Sequence, residues 1–260
     1  MRRAGVARDP ILLVGAGRMG LALLKGWIAR RIRPVIVIEP KPSPELKKIA
    51  RHHRVPLFAD RKAVAGMPLT ACIVALKPQV LKTEAAAFRS IAESGALMIS
   101  IAAGTGTKAM GTTWGKKARV VRAMPNLPGA IGRGMTALYA GKGVTSKDRT
   151  LAESLVAALG DTAWVKSERD IDVVTAVSGS GPAYVFLLAE ALEAAARAEG
   201  LSPALAARLA RATVAGSGAL LDADPTPAAT LRDNVTSKGG TTAAALAVLM
   251  ARKDGLSPLM

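Results

Sequence analysis

Through its first half the chain alternates short apolar runs with stretches of helical period. The runs are "ILLVG" at 11–15, "VIVIE" at 35–39, "ACIVAL" at 71–76, "LMISIAA" at 97–103 and "RVVRAM" at 119–124. Apolar runs this short, bounded by turn residues, read as strands buried on both faces. Between the first two, residues 18–31 carry apolar positions at helical spacing. After the second, "SPELKKIARH" opens with Ser43 as an N-cap and Pro44 in the first turn, a favourable helix start. Strands that alternate with helices predict βαβ units and a parallel sheet.

After about residue 165 the pattern changes. Residues 183–201 predict one long helix, apolar on nearly every side in its first half. Residues 202–221 begin with Ser202 and Pro203 and predict a second helix, and 226–236 and 241–253 predict two more. The expected division is therefore an α/β domain over residues 1–165 and an all-helical domain over 166–260. A helix apolar all round must be covered on all sides. A small helical domain can hardly do that alone, so a second subunit is expected to cover it.

Composition narrows the picture. The chain has 260 residues, half of them hydrophobic, which is enough for a sizeable core and argues against disorder. No apolar run reaches the roughly 18 residues of a membrane span. The first ten residues are basic but lack an apolar segment, so no signal peptide and no membrane partner are expected. The lone Cys72 forms no internal disulfide and fits a reducing cytoplasm. His52 and His53 are adjacent and have no companion Cys, so no metal site is expected. The net charge is +17, and residues 1–62 alone hold 15 Lys and Arg against 4 Asp and Glu. A nucleic-acid groove would add stacking aromatics. The whole chain has only 3 Trp, 2 Tyr and 3 Phe, so the surplus reads as a solvated basic surface with no nucleic-acid partner. Such a surface also attracts anionic small molecules such as dinucleotides.

The candidate chemistry begins at "VGAGRMG", where Gly15, Ala16, Gly17, Arg18, Met19 and Gly20 follow a strand and open a helix. That context makes the G-x-G-x-x-G pattern a dinucleotide fingerprint and the α/β region a Rossmann domain. Gly15 allows the tight turn, Gly17 lets backbone approach a pyrophosphate, and Gly20 lets the helix lie close to the strand. The helix N-terminus offers N–H groups and positive potential to phosphates. Glu39, 19 residues past Gly20, stands where an acid binds the adenosine ribose. Its carboxylate favours NADH; Lys41 and the basic surroundings favour NADPH, and the choice stays open. The strand ends Ala75, Leu76, Lys77, Pro78 and Ala102, Ala103, Gly104 are further cofactor candidates, because ligands sit outside the carboxyl ends of parallel strands.

A second candidate lies at "LRDNVTSKGGTTAAAL", residues 231–246, where small hydroxyls and paired glycines crowd the start of a helix. One Ser or Thr would suffice as an N-cap. The surplus admits a second reading, a cradle of main-chain N–H groups for a carboxylate.

Taken with "ALKPQ", "SIAAG", "RAMPN" and "SGSGPAYVF", these stretches resemble the pyrroline-5-carboxylate reductase family over nearly the whole chain. The resemblance implies NADPH- or NADH-dependent reduction of the cyclic imine 1-pyrroline-5-carboxylate to L-proline, the last step of proline biosynthesis. It implies that Ser237, Gly240 and Thr241 hold the substrate carboxylate and that Thr242, the catalytic candidate, meets the imine nitrogen. Asn126 and Asp224 are further substrate-binding candidates, and Ser178 and Ser180 line the same site. It also implies a cytoplasmic homodimer that can assemble into larger rings of dimers. Four departures stand out: Lys238 where the family usually has Pro, Leu127 where it has Thr, Glu39-Pro40 where it has Asn-Arg, and Asp224, which matches the family's acid before the signature only if one residue is inserted. Two other classes remain in view. Imine reductases and β-hydroxyacid dehydrogenases share this layout, but the hydroxyacid enzymes carry a catalytic Lys on the long helix, and residues 183–196 contain none. A non-catalytic dinucleotide-binding protein would not need "SKGGTT".

Overall fold

The computed structural model describes residues 9–260. The basic N-terminal stretch, residues 1–8, lies outside them. The elements follow in the order β1 (Ile11–Val14), α1 (Arg18–Ala29), β2 (Val35–Ile38), α2 (Pro44–His53), β3 (Leu57–Phe58), β4 (Ala71–Val74), α3 (Pro78–Glu84), α4 (Arg89–Glu93), β5 (Leu97–Ser100), α5 (Thr107–Trp114), β6 (Val120–Met124), β7 (Gly134–Ala140), α6 (Ser146–Val156), β8 (Gly160–Trp164) and α7 (Glu168–Val174). A π-helical turn, Thr175–Gly179, precedes α8 (Gly181–Ala198). Then come α9 (Pro203–Ala223), α10 (Ala228–Asn234), α11 (Thr241–Leu249) and α12 (Leu256–Leu259).

The eight strands form one sheet in the order β3-β2-β1-β4-β5-β6-β7-β8. All neighbours pair parallel except β6 and β7. The order reverses direction at β1, the switch point where an open α/β sheet leaves a ligand crevice. Strand period two assigns the core. Ile11, Leu13, Val35, Val37, Ile73 and Ile99 face one side and pack with Leu23, Leu24 and Trp27 of α1 and with Leu155 of α6. Leu12, Val14, Ile36, Ile38, Val74 and Met98 face the other and pack with Leu81, Phe88 and Trp114. With both faces covered, the continuous apolar strands need no polar alternation. Cys72 is buried within the second layer, where desolvation pushes its thiol up, so it is a packing residue rather than a nucleophile.

Three strands escape the sequence reading. The strand β3 has two residues. The antiparallel β7, "GMTALYA", mixes small and polar positions, and the edge strand β8, "GDTAW", has alternating exposure. Neither presents a run of large apolar residues. The fifth run pairs as expected in β6, and α2 starts as expected, with Ser43 Oγ accepting from Leu46 N–H at 3.1 Å.

The chain divides into two compact units, the first ending at Tyr184 and the second being Val185–Met260. The expectation placed the division at 165, where the strands stop. Helix α7 nevertheless packs on the sheet: its Ile171 is fully buried, and its Asp172 accepts from Arg122 Nη2 of β6 at 3.1 Å. Packing, not strand content, carries the first unit past residue 165. The second unit is helical throughout. Its only buried side chains in α9 are Ala206 and Ala210, and α10, α11 and α12 bury none. No residue of α8 is buried, and Phe186, Leu187 and Leu188 are more than half exposed.

The expectation of no membrane-length segment needs one correction. Among the described residues, the helical stretch Glu168–Ala198, 31 residues, is long and apolar enough by length and composition to cross a membrane. Counting apolar runs missed it because polar and charged residues such as Asp172, Thr175, Ser178, Ser180 and Glu190 interrupt the stretch.

Trp27 joins the layers. Its ring is fully buried, and Nε1 donates to the carbonyl of Leu155 at 2.8 Å. Trp27→Ala is expected to cost about 3–5 kcal/mol of stability, from lost burial and the cavity left behind. Denaturant unfolding of the variant beside wild type measures it; a loss below about 1 kcal/mol would show that the layer collapses to fill the space.

Candidate functional site

The glycine-rich turn is shaped by close approach. Gly15 leaves β1 with φ +89°, a conformation L side chains rarely adopt, and a Cβ there would lie 2.7 Å from the carbonyl oxygen of Ala75. A Cβ on Gly20 would lie 2.1 Å from the carbonyl oxygen of Gly15. Gly17 differs: a Cβ there would meet no atom within 4 Å. Two glycines thus press helix against strand ends, and the third leaves bare backbone beside open space. That is the arrangement a pyrophosphate requires.

The open space is a cleft of about 930 Å³ whose lining includes Gly15, Gly17, Glu39, Lys41, Ala75, Leu76 and Lys77. These residues come from the carboxyl ends of β1, β2 and β4, which are adjacent in the sheet. Glu39 lies just past β2, and its carboxylate braces the turn: Oε2 accepts from Ala16 N–H at 2.8 Å and Oε1 from Lys41 N–H at 3.0 Å. Each oxygen keeps a lone pair for a ribose hydroxyl. Lys77 is the N-cap of α3, with Pro78 in its first turn. The cleft also includes Arg61 and Glu84, which sequence reasoning missed. They pair at 2.5 Å, and Arg61 stacks over the Phe88 ring, 4.8 Å from its centroid. The partners are 23 residues apart, too far for any local pattern to join them.

Not every candidate faces this cleft. Ala16 is buried, with its N–H given to Glu39. Gly20 packs on Gly15, while Arg18 and Met19 belong to the first turn of α1. Ala102, Ala103 and Gly104 follow β5, the neighbour of β4, and Ala102 N–H donates to Ser100 Oγ at 3.3 Å. In the same loop the Thr105 hydroxyl is buried and makes no hydrogen bond among the described residues. Asn126 is engaged at both ends: Oδ1 accepts from Met135 N–H at 2.9 Å and Nδ2 donates to Ser178 Oγ at 3.2 Å. One N–H of that amide remains for a ligand.

In the second unit, the turn before α11 is tightened by Gly240 N–H donating to Ser237 O at 3.1 Å, with Gly239 at φ +70°. A Cβ on Gly240 would lie 2.7 Å from Ser237 Oγ. The N-cap of α11 is Gly240, and no side chain caps the helix. Among the described residues, no hydrogen bond uses the hydroxyls of Ser237, Thr241 or Thr242. Thr236 differs, donating its hydroxyl to Arg232 O at 2.7 Å. Three hydroxyls and the first-turn N–H groups therefore fall within one short segment with no hydrogen-bond partner among the described residues, the inventory a carboxylate would satisfy. Asp224 ends α9 and accepts from Thr226 N–H at 2.9 Å. Hydrogen bonds from Thr226, side chain first and then backbone, hold its carboxyl below the usual range. Asp224 makes no hydrogen bond to the turn at 237–242 among the described residues.

A mostly parallel sheet with a glycine turn and a cleft at its switch point is the architecture of a dinucleotide-binding protein. The family model described as NADP oxidoreductase, coenzyme F420-dependent, matches residues 10–104, and that for pyrroline-5-carboxylate reductase dimerisation matches residues 168–257. The pyrroline-5-carboxylate reductase of Haemophilus influenzae is 34% identical over 243 residues, covering 93% of this chain and 89% of its own. The solved pyrroline-5-carboxylate reductase of Coxiella burnetii superposes with a TM-score of 0.84 at 34% identity, covering 94% of this chain and 91% of that one. The pyrroline carboxylate reductase of Plasmodium falciparum, solved with NADP bound, gives a TM-score of 0.79 at 28% identity, with coverages of 95% and 91%. The chain belongs to the pyrroline-5-carboxylate reductase family.

The glycines separate binding from folding. Gly17→Val should leave the melting temperature nearly unchanged, because open space receives the side chain. It should weaken dinucleotide binding by about 1–3 kcal/mol, roughly fivefold to 150-fold. Gly20→Ala should instead lower the melting temperature, since its Cβ meets backbone. Calorimetric titration and thermal unfolding of both variants check this; unchanged affinity for NADH and NADPH in Gly17→Val would remove the turn from the cofactor site.

Proposed function

We propose that this protein reduces 1-pyrroline-5-carboxylate to proline, using NADH or NADPH, as a cytoplasmic homodimer capable of assembling into rings of dimers. Family membership supports the reaction. The observation that carries it to particular residues is the turn opening α11, whose hydroxyls are spent neither on capping the helix nor on each other.

In this reading Ser237, Gly240 and Thr241 receive the substrate carboxylate, with main-chain N–H groups and the positive end of α11 opposing its charge. The Thr242 hydroxyl meets the imine nitrogen. When bound, the reduced nicotinamide supplies the hydride that reaches carbon five of the ring. The nitrogen gains a proton as the carbon is reduced. In this reading the hydroxyl orients the nitrogen and water delivers the proton. Most of the rate then comes from holding two reactants in register. The residues between β1 and the end of β4 fit a dinucleotide, because Gly17 leaves room where Gly15 and Gly20 leave none. Asp224 joins the substrate site in this reading, Asn126 keeps an amide N–H for a ligand in the first unit, and Ala102, Ala103 and Gly104 join the nicotinamide end of the cofactor site.

The dimer reading rests on the match of residues 168–257 to a dimerisation family and on the exposed apolar side chains of α8. A second copy would cover Val185, Phe186, Leu187 and Leu188, whose exposure to water is costly. Sedimentation at micromolar concentration should show no folded monomer; a stable monomer would sink the dimer.

Thr242→Ala tests the chemistry. Loss of a hydrogen bond that strengthens toward the transition state should cost about 2–4 kcal/mol, roughly 30- to 1000-fold in turnover of pyrroline-5-carboxylate. A cap lost from a helix would cost about 1 kcal/mol of stability and leave the rate per folded molecule intact. Turnover and melting temperature measured on one sample decide between them. For the cofactor, Glu39→Ser should raise activity with NADPH relative to NADH, because the carboxylate repels a 2′-phosphate. An unchanged ratio would mean that Glu39 only braces the turn through Ala16 and Lys41.

A further inference from the structure

The loop from Ile101 to Gly106, between β5 and α5, is tied down at both ends by groups from outside it. At its start, Ser100 is fully buried and its Oγ accepts from Ala102 N–H at 3.3 Å. At its end, the N-cap of α5 is Gly106, which has no side chain to cap with. The missing cap comes from 61 residues away. Glu168, the first residue of α7, places Oε1 2.6 Å from Thr107 N–H and Oε2 3.1 Å from the Thr107 hydroxyl. A Cβ on Gly106 would already touch Glu168 Oε1 at 3.4 Å, so the carboxylate fills the space a local cap would use.

The carboxylate is itself held. Arg122 of β6 has a side chain only 5% exposed, with Nη1 3.7 Å from Glu168 and Nη2 3.1 Å from Asp172. Arg122 pairs in register with Ser100. Ser100, which anchors the start of the loop, and Arg122, which holds the carboxylate that anchors its end, therefore stand on adjacent strands. A buried guanidinium has few stable positions without its carboxylates, so Arg122 fixes α7 against the sheet and α7 fixes the loop. Glu168 is also the first residue matched by the dimerisation family.

We infer that Glu168 and Arg122 are positioning residues that hold the Ile101–Gly106 loop in the conformation that receives the nicotinamide end of the cofactor. The inference rests on the reading that Ala102, Ala103 and Gly104 lie at that end. A loop ordered before binding loses no conformational freedom on binding, so the clamp acts on affinity. It acts on one end of the ligand only, because the adenosine and pyrophosphate end belongs to the β1–α1 turn and Glu39.

That asymmetry supplies the test. Affinities for NADH and for ADP-ribose, which lacks the nicotinamide, are measured by calorimetry on wild type, Glu168→Ala and Glu168→Asp, and likewise for NADPH and 2′-phospho-ADP-ribose. Glu168→Ala should weaken the full dinucleotide by about tenfold, the scale of a lost hydrogen bond to a charged group, with ADP-ribose within about twofold. Glu168→Asp keeps the charge beside Arg122, and so the fold, but retracts the carboxylate from Thr107; it should lose about threefold to tenfold for the dinucleotide alone. Equal losses for dinucleotide and fragment, or none for the dinucleotide in either variant, would overturn the clamp. Binding is read without turnover, so failure of wild type to reduce pyrroline-5-carboxylate would count against the proposed reaction and leave this result standing.

Discussion

The first unit depends on a contact that admits no side chain. Where β1 meets α1, the α-carbon of Gly20 sits against the carbonyl of Gly15, and Gly15 against the carbonyl of Ala75. This lets the helix rest directly on the strand ends, with its N-terminus aimed at the cleft. Everything downstream takes its position from there. Helix α1 buries Leu23, Leu24 and Trp27 against the sheet, and Trp27 reaches across to the Leu155 carbonyl of α6. The cleft at the switch point exists because β1 is flanked by β2 and β4, whose ends supply Glu39 and Lys77. A methyl group at residue 20 would lift the helix, and with it the N–H groups of its first turn.

Charge is organised differently in the cleft and on the surface. The surplus of Lys and Arg is solvated, and exposed pairs such as Lys25–Glu45 contribute little to stability. The charges with consequences are those confined by structure. Glu39 is held by two backbone N–H groups, Arg61 is held by Glu84 and the Phe88 ring, and Arg122 is buried between Glu168 and Asp172.

The second unit offers the reverse of a buried core. Its helices α10, α11 and α12 bury nothing, and large apolar side chains face outward along α8. A chain that covers such surface only by association makes stability and assembly one property. The turn at Ser237–Thr242 sits within this unit. The proposed substrate contacts thus stand in the unit with the least buried surface of its own.

The sequence by itself determined the parts of this protein set by local backbone geometry and period. The continuous apolar runs made β1, β2, β4 and β5 readable because both faces of a parallel strand are buried. The glycine turn was readable because only glycine fits where Gly15 and Gly20 stand, and the turn at 237–242 because its hydroxyls exceed what a cap needs. Tertiary structure alone decided the rest. It paired β7 antiparallel to β6 and set β8 at the edge, strands whose small or alternating residues carry no apolar run. It placed residues 166–184 with the sheet, through Ile171 and Arg122. It joined Arg61 to Glu84 and Glu168 to Thr107 across 23 and 61 residues. A hydrogen bond or ion pair between distant residues leaves no period and no spacing in the chain, because the fold, not the local conformation, brings its partners within reach.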